Sequence, residues 1–286
     1  MFYDIINCHR ICISGVYMKD VTINDLLNGN YRFTKTVLQY ILDYTLADIF
    51  QNRFNIISEE KYLEFMKIQE KLNDKIPLQY AIGKWNFYSR DFIVDENVLI
   101  PRPETELLVD EVLKENLEGK SILDIGTGSG AIAISIDLES SNCNVYASDI
   151  SVDALDVAKK NAAKFNSNVK FIESDLFQNI DGKFDIIVSN PPYLSEEEYD
   201  KVDEIIYYEP KNAFVGGEKG FEIYEKIIKD ASKYLNENGK IFFEIGYMQA
   251  EIVRDLLLNH GYNNIKIKKD YGNLDRIVIG ELCLKN

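Results

Sequence analysis

The chain has 286 residues, 46% hydrophobic and 28% charged, a balance that suits a globular protein with a substantial core and excludes a disordered or fibrous chain. Its net charge of −15 argues against a broad phosphate-binding surface, which needs clustered Lys and Arg, and permits a protein partner with a basic face. Four scattered cysteines without a C-x-x-C pair fit a reducing cytoplasm rather than a disulfide framework. Cys8, His9 and Cys12 lie close together, but nothing completes a tetrahedral set, so no metal is expected. No apolar run reaches membrane-spanning length.

Residues 1–17 carry no small-residue cleavage site and read as an N-terminal extension, with Met18 a candidate start. From Asp20 to Gly83 the pattern is helical. Val37, Leu38, Ile41, Leu42 and Leu46 recur at helical spacing. A second helix opens at Ser58, an N-cap followed by Glu59 and Glu60, and Pro77 ends that segment. A small helical domain over residues 18–83 is expected, serving either as a substrate-recognition domain or as a structural cap. Trp85–Tyr88 and Phe92–Val94 read as a short hairpin within a linker, 84–97. Pro101 and Pro103 then stiffen the chain before a helix with acidic residues in its first turn, a stretch that is either a rigid helix entry or a wall of the active site.

From Ser121 short apolar runs alternate with helical segments, the pattern of a parallel sheet with crossover helices. Ser121–Ile125 is the first strand. Gly126-Thr127-Gly128-Ser129-Gly130 follows and opens a helix, so its backbone can turn tightly and approach a ligand. Asn144–Ala147 is the second strand, and Asp149 stands about 20 residues beyond the glycine loop, where an acidic side chain meets ribose hydroxyls in nucleotide-binding units. The same residue can simply cap the next helix. After a third strand, Val169–Ile172, Asp175 can accept from an adenine amino group. Leu176 and Phe177 either sandwich the base or pack in the core.

The apolar run Phe184–Ser189 is a buried strand, and Pro191 and Pro192 stop it because neither can donate to a ladder. Asn190, the Pro191 carbonyl and Tyr193 are thereby left at a strand's carboxyl end, where open α/β sheets bind ligands. A planar NH2 conjugated to a carbonyl or ring is a poor nucleophile. Two acceptors on its hydrogens, the Asn190 oxygen and the Pro191 carbonyl, can hold it and favour pyramidalisation while the Tyr193 ring stacks on the flat group. The bland alternative is a strand-ending turn. An acidic, irregular stretch then runs to Gly220. A helix follows over Phe221–Leu235, a strand over Lys240–Ile245 and a helix over Met248–Asn259. Ile265–Lys268 and Arg276–Leu284 close the sheet as an antiparallel edge pair.

These motifs together resemble the PrmC/HemK family of protein-(glutamine-N5) methyltransferases, which modify peptide-chain release factors. The resemblance runs from Val21 to the end. It rests on Pro77-Leu78-Gln79-Tyr80, on Ile100 through Glu106, on Asp124 through Gly130, on Asp149, on Ser174 through Phe177 and on Ser189 through Tyr193. It implies an α/β fold, with a Rossmann-like seven-stranded S-adenosylmethionine-dependent methyltransferase domain over 98–286 behind the helical domain. It places Gly126 to Gly130 on the methionine part of S-adenosylmethionine, Asp149 on its ribose, and Asp175 and Leu176 on its adenine, with Asn190 also beside the cofactor. Asn190, Pro191, Pro192 and Tyr193 would hold the substrate amide, with Asn190, Pro191 and Tyr193 catalytic. The implied partner is a class I release factor, with no membrane and no direct nucleic acid. Three rivals share parts of this pattern: an exocyclic-amine methyltransferase acting on nucleic acid, a nicotinamide-dependent oxidoreductase, and a cofactor-fold binding module without activity.

Overall fold

The computed structural model describes residues 11–13, 16–18 and 20–283. It divides into two compact units, Met1–Ile82 and Gly83–Asn286. The extension over residues 1–17 and the group Cys8, His9 and Cys12 fall largely outside the described residues. There only the backbone of a short antiparallel pair is described, β1 (Ile11–Ile13) and β2 (Val16–Met18).

The rest of the first unit is helical: α1 (Ile23–Leu27), α2 (Thr34–Leu42), α3 (Leu46–Gln51), α4 (Glu59–Asn73) and α5 (Leu78–Ile82). Thr22 with Asp25 and Thr45 with Asp48 form reciprocal capping boxes that start α1 and α3. Ser58 caps α4 by accepting from the Lys61 amide. Val37, Leu38, Ile41, Ile49, Phe65, Ile68 and Leu72 are buried, so the periodic apolar positions make the core. The buried Gln69 side chain accepts from the Arg32 amide and donates to the Arg32 carbonyl at 2.9 Å, tying the loop before α2 to α4.

The second unit opens with a hairpin, β3 (Lys84–Phe87) and β4 (Arg90–Ile93). Its turn residues Tyr88 and Ser89 both have positive φ, the geometry of a tight two-residue hairpin. The sequence suggests a linker here. Phe87 and Phe92 are instead buried in the core of this unit. The buried Asn161 side chain also bonds both the amide and the carbonyl of Ile93.

The main elements follow: α6 (Thr105–Leu113), β5 (Ser121–Ile125), α7 (Ala131–Glu139), β6 (Asn144–Asp149), α8 (Val152–Phe165), β7 (Lys170–Glu173) and β8 (Phe184–Ser189). After β8 come β9 (Leu194–Ser195), α9 (Glu196–Tyr199), β10 (Val215–Gly217), α10 (Glu222–Ala231), β11 (Leu235–Glu244), α11 (Ala250–Asn259), β12 (Tyr262–Lys269) and β13 (Asp275–Leu282). The sheet has seven strands in the order β12-β13-β11-β8-β5-β6-β7. Chain order departs in both directions from β5, so the crevice outside β5 and β8 is the switch point where such sheets bind ligands.

Two expectations need correction. Leu235 is not helical: α10 stops at Ala231, and Leu235 pairs with Phe184 at the start of β11, which then bulges over Asn236–Gly239. The stretch from Leu194 to Gly220 is not irregular throughout. Ser195 and Glu198 form a capping box for α9, and β9 pairs in parallel with β10. Gly216 makes that pairing possible, since a Cβ there would lie 2.3 Å from the Pro192 carbonyl oxygen.

Candidate active site

A cavity of about 300 Å³ lies at the carboxyl ends of the parallel strands. The backbone of Gly126 and Gly128 forms one wall. Both have positive φ, and a Cβ on either would meet no protein atom within 4 Å, so the loop presents bare backbone. Gly128 donates to Asp149 Oδ2 and Ser151 to Oδ1, each at 2.9 Å, which fixes the carboxylate at the end of β6. Burial pushes the Asp149 carboxyl up, and these backbone amides pull it back.

Asp175 and Leu176 also line the cavity. Leu176 holds a left-handed φ of 50°, and the Ser174 hydroxyl donates to its carbonyl at 2.9 Å. Thr127, Ser129 and Gly130 do not line the cavity. Thr127 donates to Asp124 Oδ2 at 2.6 Å, the Ser129 carbonyl accepts from Asn161, and Gly130 packs against Ile134 and Ala158. Phe177 is a core residue stacked on Tyr234, with ring centroids 4.5 Å apart.

Asn190, Pro191 and Pro192 also line this cavity. A second, smaller cavity of about 30 Å³ is lined by Leu99, Arg102, Asn190, Tyr193, Ala213, Phe214 and Glu244. Asn190 belongs to both. Ser189 fixes the strand end by donating to the Ile125 carbonyl at 2.7 Å. Gln249 holds Tyr193 in place: its Nε2 donates to the carbonyls of Tyr193 and Gly220, while its Oε1 accepts from the Gly246 amide. The Asn190 Nδ2 donates to Thr105 Oγ1 at 3.3 Å, and among the described residues no group donates to its Oδ1 or to the Pro191 carbonyl. Two acceptors therefore stand ready at one strand end.

Sequence reasoning missed several residues here. Glu209 is buried and accepts from the Ile100 amide at 2.9 Å and from Arg102 Nη2 at 2.6 Å. It thus ties the proline-rich entry of α6 to the segment bearing Asn212 and Ala213. Glu244, at the end of β11, is 2% exposed. Burial pushes its carboxyl up to about 7, against hydrogen bonds from Thr105 and Asn190 and the charge of Arg276.

Asp124 behaves similarly. Burial, reinforced by Asp149, pushes it up to about 7 against the Thr127 bond. Its ordinary value is 3.8, so as pH rises from there towards about 7 the unfolded chain loses a proton that the native chain keeps. That contribution favours the fold at low pH, is lost through this window and is level above it. Asp124→Asn should therefore flatten the fall of stability between about pH 4 and 7, as urea melts across that range would show.

Residues 103–218 match the family model of the methyltransferase small domain. The chain is 43% identical over 234 residues to a release factor glutamine methyltransferase from Streptococcus pneumoniae, covering 81% of this chain and 84% of that one. The chain belongs to the release factor glutamine methyltransferase family. A relative so named from Fusobacterium nucleatum is 38% identical over 283 residues, covering 91% of this chain and 79% of that one. A solved methyltransferase from Pyrococcus furiosus shares the fold, with a TM-score of 0.54 at 20% identity over 79% of this chain and 100% of that one. As a release factor glutamine methyltransferase the chain uses S-adenosyl-L-methionine, and the larger cavity fits that group. It offers bare glycine backbone, a fixed carboxylate at a strand end and an apolar wall at Ile150 and Leu176. Among the described residues no helix is long and apolar enough to cross a membrane, and no His, Cys, Asp and Glu cluster could hold a metal.

Proposed function

We propose that the chain moves a methyl group from S-adenosylmethionine to the side-chain amide nitrogen (N5) of the glutamine in the Gly-Gly-Gln loop of class I release factors. The observation that carries the chemistry is Asn190, whose NH2 is engaged by Thr105 while its oxygen and the Pro191 carbonyl have no donor. Those two acceptors take the two hydrogens of the substrate amide and turn its lone pair out of conjugation. The Tyr193 ring stacks on the flat amide group. Gly126 and Gly128 face the methionine part of the donor, Asp149 holds the ribose, and Asp175 and Leu176 hold the adenine.

S-adenosylmethionine supplies a methyl group already activated as a sulfonium. The chain therefore has to align the nitrogen and exclude water rather than activate a leaving group. No strong base is needed before transfer. The methylated nitrogen is then strongly acidic, and its extra proton leaves to solvent.

The helical unit is the recognition element in this reading. Phe54, Phe50 and Ile56 are 68%, 45% and 57% exposed there, apolar side chains of the kind a protein partner covers. With a net charge of −15 the preferred partner is basic, and direct nucleic-acid binding is disfavoured. The cytoplasm, where release factors work, is the site of action. The double substitution Phe50→Ala and Phe54→Ala should raise KM for the release factor by about tenfold, as expected for lost interface anchors, with the melting temperature and cofactor affinity unchanged. An unchanged KM would leave the helical unit as a cap. The reaction is tested by incubating the enzyme with labelled S-adenosylmethionine and either a release factor or nucleic acid. Label on the protein supports the reading, and label on nucleic acid alone overturns it.

A further inference from the structure

An asparagine amide has nearly the same shape either way round, yet the proposed reaction works only if oxygen, not nitrogen, meets the substrate NH2. Something in the fold has to choose. Thr105, at the first position of α6, is 4% exposed, and Glu244, at the end of β11, is 2% exposed. Thr105 and Asn190 are the polar side chains beside the Glu244 carboxyl that favour its ionised form. Asn190 Nδ2 lies 3.3 Å from Thr105 Oγ1.

A hydroxyl has one hydrogen. With that hydrogen given to Glu244, the Thr105 oxygen can only accept from Asn190. With Glu244 ionised, a flipped Asn190 would set its oxygen against two acceptors, an arrangement with no donor. We propose that Glu244, acting with Thr105, is a positioning residue that orients the Asn190 amide so that Oδ1 faces the substrate. This inference rests on the methyl-transfer reading above.

Other features point the same way. A buried carboxyl is costly, and an apolar side chain would fill the end of Ile241-Phe242-Phe243 more cheaply. Glu244 also keeps one oxygen, Oε2, without any hydrogen bond, so it is not there to complete a structural network. The charged groups that act on it are Arg276 and Glu104. Arg276 is already engaged by Asp270 at 3.1 Å and by the Ile245 carbonyl at 3.2 Å. Glu244 lines the smaller cavity together with Asn190 and Tyr193.

The test compares Glu244→Ala, Glu244→Gln and Thr105→Val, alone and with Asn190→Ala, in release-factor methylation and in calorimetric cofactor binding. Glu244→Ala and Thr105→Val should each lower kcat by about tenfold or more, with KM and cofactor affinity within about twofold, as for loss of an interaction that matters at the reacting nitrogen. Glu244→Gln still offers an oxygen to Thr105 and Asn190 and should bring kcat back to within about threefold of the parent. In the Asn190→Ala background Glu244→Ala should cost nothing further, because the group it orients is gone.

Full kcat in Glu244→Ala overturns the proposal. So does a Gln variant as poor as Ala, which would assign Glu244 a role through its charge. Additive losses with Asn190→Ala overturn it as well. If Glu244→Ala does not fold, Thr105→Val carries the same outcomes alone. If the parent enzyme itself fails to methylate a release factor, the functional reading falls instead.

Discussion

Asn190→Asp should abolish turnover nearly as completely as Asn190→Ala. The alanine variant leaves one hydrogen of the substrate amide without an acceptor in a closed site. That costs on the order of 1–3 kcal/mol, or roughly one to two decades in rate. Misalignment adds to this, because displacement at the methyl carbon is sensitive to sub-ångström placement. The aspartate variant keeps an acceptor towards the substrate, so acceptance alone would preserve much of the rate. It removes, however, the NH2 that donates to Thr105 and that favours the ionised Glu244 carboxyl. In its place a second carboxyl stands beside a buried one. One of the two must take a proton or turn away. Single-turnover rates at saturating cofactor, on variants shown to be folded, decide the matter. A rate near the parent's in either variant would sink the mechanism.

Asp149→Ala should weaken S-adenosylmethionine binding by about 1.5–3 kcal/mol, the cost of losing a charge-assisted hydrogen-bond pair. The same substitution also removes the acceptor for the Gly128 and Ser151 amides. The glycine loop should then lose its fixed shape as well as its ribose partner, which places the loss towards the upper end of that range. Unchanged affinity by calorimetry in a folded variant would remove Asp149 from the ribose and leave it as a clamp on the loop.

Much of this site is local in sequence, and local signals found it. Strand β8 ends at Ser189 because Pro191 and Pro192 cannot extend a ladder, and that alone puts Asn190 at a sheet end. The glycine loop lies between a strand and a helix, and Asp149 closes the next strand, as the spacing implies.

What was not legible is the set of partners that act from far along the chain. Thr105 reads as part of a helix entry or a site wall, with nothing to pair it with Asn190, and Glu244 as one more residue of an apolar strand. Only the fold brings α6, β8 and β11 together. A faint signal existed: a carboxylate directly after Ile241-Phe242-Phe243 and before Ile245 is out of place on a buried strand. Glu209 and Gln249 escaped for the same reason, since their hydrogen bonds reach back to Arg102 and Tyr193. The segment from Leu194 to Gly220 reads as irregular in sequence because its elements are too short to show a period. Leu235 reads as helical because its apolar side chain continues the helical spacing of α10.

The central claim is that the acceptor of the methyl group is one particular amide of a protein. It is tested most directly by incubating the enzyme with labelled S-adenosylmethionine and an intact release factor, then locating the label by peptide mass spectrometry. The account predicts a single methyl group on the glutamine of the Gly-Gly-Gln loop, with none when that glutamine is replaced by alanine. A methyl group on another residue, or undiminished labelling of the glutamine-to-alanine factor, would contradict it.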